Sequence, residues 1–99
     1  VDQGCNGGLM DNAFDFVQAN DITTETNYPY NAVRGTCNSQ KESKGVGKCS
    51  GHTDVPASDE DQLALAVAKQ PVSVAIEADQ SGFQLYHSGV FSGACGTQL

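Results

Sequence analysis

Eleven residues near the start of the chain constrain it most: Gly4-Cys5-Asn6-Gly7-Gly8-Leu9-Met10-Asp11-Asn12-Ala13-Phe14. They set a cysteine, a turn without side chains and the opening of an amphipathic helix in direct succession. Gly7 and Gly8 leave the backbone bare, so an extended peptide can approach closely and hydrogen-bond along that edge. Leu9 and Met10 stand where a first apolar pocket would begin. On spacing alone, a helix-leading turn closed by a disulfide explains the same residues equally well.

The pattern downstream is helices first and extended segments later, an α+β order. Met10, Ala13, Phe14 and Val17 recur at helical spacing and predict a helix over 9–20. Residues 22–51 read as loop, with Tyr28-Pro29-Tyr30 as a rigid aromatic corner and 38–50 as an exposed polar stretch. A second helix is predicted after Ser58, with Asp61 as its capping-box partner. Leu63, Ala66 and Val67 form its stripe, and Pro71 stops it. Residues 72–77 alternate as a strand: Val72, Val74 and Ile76 face one way, and Ser73, Ala75 and Glu77 the other.

Leu, Ile, Val and Phe number 20 of 99 residues, at the margin where a packed core becomes difficult. The net charge is −7, of which residues 51–99 carry −5. Such a surface repels nucleic acid and holds no basic patch to bind it. No apolar run is long enough to span a membrane. The four cysteines, Cys5, Cys37, Cys49 and Cys95, form no Cys-x-x-Cys pair, which argues against zinc, and no metal site is assigned. Their number favours an oxidising compartment, and sequence leaves all three full pairings open. His52 and His87 read as solvated side chains.

The opening stretch closely resembles the segment that follows the nucleophile in papain-like cysteine proteases of the cathepsin L-like group. The likeness continues through Asn27-Tyr28-Pro29-Tyr30, Gln70-Pro71-Val72-Ser73-Val74-Ala75-Ile76, Phe83-Gln84-Leu85-Tyr86 and Gly89-Val90-Phe91, and runs to Cys95-Gly96-Thr97-Gln98-Leu99. The blocks keep the family's order and approximate spacing. The resemblance implies the middle portion of a two-subdomain fold: residues 1–52 in the helical subdomain, and 53–99 in the β-barrel-like one.

The implied activity is a cysteine endopeptidase that attacks peptide bonds with a thiolate. The nucleophile's Cys-Gly-Ser-Cys-Trp-like signature and the catalytic histidine are both missing here, so no catalytic residue is assigned and the chain alone is expected to be inactive. The resemblance makes Gly7 and Gly8 partners of the substrate backbone. It sets Cys5 and Asn6 beside the scissile bond, makes Leu9, Met10 and Ala75 the lining of the apolar pocket one residue away, and puts Gln84 on the leaving-group side. It also implies that Cys5, Cys37 and Cys95 are half-cystines with partners outside this stretch. Cys49 is left as a free thiol or as a partner for Cys37. Implied partners are peptide and protein substrates, cystatin-like inhibitors and a propeptide, with no cofactor, nucleic acid or membrane. The implied location is secreted, lysosomal or vacuolar. Two other readings fit the residues: an inactive homologue that only binds proteins, and a small disulfide-bonded binding module.

Overall fold

The computed structural model describes residues 2–99. A 3-10 turn, Gly4–Asn6, leads into helix α1, Met10–Asn20. Then follow α2, Ser39–Glu42; α3, Glu60–Val67; and α4, Ser81–Gln84.

α1 begins one residue later than its periodicity predicts. Leu9 occupies the cap position and offers no side-chain bond to the helix. The Asp2 carboxylate accepts instead from the Leu9 N–H and from Asn12 Nδ2, each at 3.0 Å. These bonds, the backbone one first, hold the Asp2 carboxyl below the ordinary carboxylate range. Gly8 is required for this arrangement, since a Cβ there would lie 2.7 Å from Asp2 Oδ1. At the other end the Asp21 N–H donates to the Val17 carbonyl at 2.9 Å. Asp21 adopts φ 60° and ψ −179°, a region that is essentially glycine's alone.

That turn lets the chain fold back on α1. Ile22 and Gly47 form an antiparallel bridge, with Ile22 N–H to Gly47 O and Gly47 N–H to Ile22 O both at 3.0 Å. A side chain at 47 would collide with Ile22 Cγ2 at 2.7 Å. Gln18 Nε2 then donates to the Ser50 carbonyl at 3.1 Å, which lays residues 50–54 beside the helix.

The polar stretch expected as loop contains α2, because Asn38 caps it by accepting from the Lys41 N–H at 3.1 Å. Tyr28 fixes this cap from outside: its hydroxyl accepts from the Asn38 N–H at 2.9 Å. α3 also differs from expectation in its cap. Ser58 lies outside the helix at φ 55°, and Asp59 caps by accepting from the Gln62 N–H at 3.0 Å. Leu63 and Ala66 are half-buried, while Val67 of the predicted stripe is exposed.

The strand expected over 72–77 is not formed. Among the described residues no backbone hydrogen bond joins that stretch to another, and the helices and the Ile22–Gly47 bridge are the only regular structure. The α+β content read from sequence is therefore helical content here. Alternation prepares a strand, but a ladder needs a partner, and Val74 and Ile76 stay exposed without one.

No described residue is fully buried. The accessible surface is 8563 Å², against about 5,350 Å² for a folded monomer of this mass. The radius of gyration is 16.3 Å, against about 13 Å for a compact domain of this length. Half-buried clusters replace a core. Phe83 and Phe91 meet edge to face at 5.6 Å, and Tyr86 meets Phe91 at 6.4 Å. Among the described residues no helix is long and apolar enough to cross a membrane.

Candidate binding groove

The backfolding of 50–54 onto α1 opens a groove of about 790 Å³ between the helix and the second half of the chain. Met10, Asp11 and Phe14 line it from α1; His52, Leu63 and Ala75 line it from the other side. Met10 and Ala75, paired by the family resemblance, thus share one groove although 65 positions separate them. Met10 is 43% exposed, which suits a side chain lining a wall.

The remaining expected site residues lie elsewhere. Cys5, Asn6, Gly7, Gly8 and Leu9 form the lead-in to α1 and do not line the groove. Leu9 is 65% exposed. Gly7 has spent its own backbone on the turn: its N–H donates to Gly4 O at 3.2 Å and its carbonyl accepts from Gln3 N–H at 2.8 Å. Gly8 has no backbone partner among the described residues, so it is the glycine that offers both groups to an incoming peptide. Gln84 ends α4 and lines neither this groove nor its neighbour.

Ala75 also lines a second, smaller cavity of about 400 Å³, together with Ile76, Phe83, Phe91 and Cys95. Glu77 closes its edge. One carboxylate oxygen accepts from the Gln98 N–H at 3.1 Å, and the other from Gln80 Nε2 at 3.2 Å.

Sequence reasoning missed two residues that contact α1: Asp2 at its start and His52 in the groove. Asp2 acts from seven positions away, where no local spacing rule reaches it. His52, read as solvated, stacks on Phe14 with ring centroids 5.9 Å apart. Its Nε2 lies 3.7 Å from Asp11 Oδ1, and its Nδ1 lies 3.6 Å from Asp15 Oδ1. Asp11, His52 and Asp54 bring one ring or carboxylate atom each within 4.8 Å of one another. All three are exposed, and exposed acidic groups commonly cluster without a metal. What the cluster supplies is negative charge around the imidazole.

All four cysteines are free thiols among the described residues, and none is hydrogen-bonded to a histidine. Cys37 Sγ donates to Glu42 Oε2 at 3.1 Å, and Cys49 Sγ to the Gly51 carbonyl at 3.0 Å, so the Cys37–Cys49 bridge left open by the sequence is not made. The bond to Glu42, more than desolvation or charge, pushes the Cys37 thiol up and keeps it protonated. Cys5 raises the Tyr30 phenol, chiefly by charge. Among the described residues, the one carboxylate hydrogen-bonded to a sulfur, Glu42, holds its thiol up instead of activating it.

The sequence model described as "Papain family cysteine protease" matches residues 1–99. The oryzain beta chain of Oryza sativa subsp. japonica is 61% identical over 97% of this chain and 21% of its own length. Vignain of Ricinus communis is 58% identical over 98% of this chain and 27% of its own. Thiol protease SEN102 of a Hemerocallis species is 57% identical, with the same two shares. The chain therefore spans about a quarter of the length of the curated relatives it matches. A crystal structure of a Carica candamarcensis cysteine protease in complex with E-64 superposes with a TM-score of 0.81 at 37% identity, covering 97% of this chain and 45% of that one.

Proposed function

The chain belongs to the papain family of cysteine proteases, and from that premise we propose that it supplies the substrate-binding wall of a cysteine endopeptidase. The observation that carries this reading is the meeting of Met10 and Ala75 in one groove. An apolar substrate side chain lies against Met10 and Ala75, with Leu9 at the rim. Gly8 hydrogen-bonds the substrate backbone, and Gly7 gives it clearance. Cys5 and Asn6 border the scissile bond, and Gln84 lies toward the leaving group. Residues 1–52 belong to the helical subdomain and 53–99 to the β-barrel-like one, a division supported by the groove drawing residues from both stretches.

In this reading the thiolate and its imidazole come from residues outside 1–99. The thiolate attacks the peptide carbonyl, the amine leaves with a proton from the imidazolium, and water hydrolyses the thioester. The part played by this chain is to hold the peptide extended and in register, which lowers the entropic part of the barrier. The E-64 complex of the Carica protease supports ligand occupancy of such a cleft. A propeptide and cystatin-like inhibitors are proposed as further occupants. A secretory-pathway location, whether vacuolar, lysosomal or extracellular, is supported by a relative named as a KDEL-tailed cysteine endopeptidase in Arabidopsis thaliana.

The test replaces the matching segment of the Hemerocallis thiol protease with these 99 residues. The graft should hydrolyse peptides with an apolar side chain next to the cleaved residue. Met10→Ala within it should lower kcat/KM for them by about fivefold, the equivalent of ~1 kcal/mol of apolar contact. A graft that folds and hydrolyses nothing rejects the proposal, and favours the inactive binding homologue.

A further inference from the structure

His52 stands where the two protonation states of an imidazole do not fit equally well. Both of its ring nitrogens face carboxylates of α1, Asp11 at 3.7 Å and Asp15 at 3.6 Å, and Asp54 of its own segment lies within the same cluster. Phe14 of α1 covers one face of the ring. Neutral imidazole has one donor and one acceptor, so one nitrogen then turns a lone pair toward an anion. Imidazolium turns an N–H toward each carboxylate and carries the charge that both attract. No Lys or Arg forms an ion pair with a carboxylate among the described residues, so no competing cation neutralises Asp11, Asp15 or Asp54.

His52 sits directly after the Gly51 turn, in the segment that Gln18 holds to α1 by a single bond to Ser50. Thr53, Asp54 and Val55, which follow it, line the groove together with His52. The ring is therefore the second fastening between α1 and the opposite wall.

We propose that His52 is a proton-operated latch: the protonated imidazole draws residues 51–54 onto α1 through Asp11 and Asp15 and fixes the width of the groove, and the neutral ring releases them. Its bearing on substrate rests on the peptide-binding reading above, but the latch does not, and its test needs no substrate.

The experiment is amide hydrogen exchange on the full 99-residue chain at pH 7.5 and pH 5.5, corrected for intrinsic rates, read at residues 51–54. Protection of that segment should rise about fivefold on acidification, the scale of one exposed ion pair at its upper end. Asp11→Asn with Asp15→Asn should abolish the rise. His52→Phe, which keeps the stack on Phe14 and cannot charge, should hold protection level across the two pH values. Flat protection in the unmodified chain overturns the proposal, as does a rise that survives in His52→Phe. Proton NMR of the same samples gives a second readout. Phe14 ring shifts should follow the His52 ring protons with pH, and Phe14 shifts that follow His87 instead also overturn it.

Discussion

Asp21 is the residue to perturb first. It ends α1 at φ 60° and ψ −179°, where a side chain costs about 1–3 kcal/mol and glycine almost nothing. Asp21→Gly removes that strain but gives the unfolded chain more freedom, a loss of about 0.5–1 kcal/mol. The net gain expected is therefore about 1 kcal/mol. It should appear locally, since the turn at 21 is what aligns Ile22 with Gly47. The assay is amide exchange at Ile22 and Gly47, whose N–H groups make the bridge. A gain of about 1 kcal/mol slows their exchange about fivefold. Asp21→Ala is the matched control, because alanine keeps a Cβ in the same forbidden region. Exchange in Asp21→Gly that equals or exceeds that in Asp21→Ala would refute the strain argument.

Three other contacts can each be tested by a single substitution. Asp2, with its carboxyl held low by Leu9 and Asn12, supports α1 above its unfolded titration range and stops doing so as pH falls through its folded one; Asp2→Asn should remove that acid limb from the helical circular dichroism. Gly8→Ala puts a Cβ 2.7 Å from Asp2 Oδ1, so the carboxylate must retreat and its titration, followed by carbon NMR, should move up toward the ordinary range. Glu42→Gln removes an anionic acceptor from Cys37, so alkylation of Cys37 by iodoacetamide at pH 8 should accelerate, while the rate at Cys95 stays the same.

Local rules carried α1 and α3 because each repeats its apolar positions over several turns and ends at a strong signal. They misplaced the α3 cap by one residue: Ser58 and Asp59 are both good caps, and the backbone at 58 left the choice to Asp59. α2 was hidden in a polar stretch whose one signal was Asn38. The segment 72–77 failed for a different reason, since a strand is a relation between two segments and alternation describes only one. Met10 and Ala75 were named through the family resemblance rather than through spacing, and the groove brings the two together. His52 was not legible at all. Its role depends on the Ile22–Gly47 bridge and the Gln18–Ser50 bond, contacts made across 25 and 32 positions.

Ala75 belongs to the walls of both cavities. Leu99 lines both as well, so the two spaces adjoin along these two residues. Any larger residue at 75 must take room from the groove, from the aromatic chamber behind it, or from both. Diversification at this one position would therefore trade depth on one side against packing on the other. A ligand designed to reach past Ala75 would come up against Phe83 and Phe91.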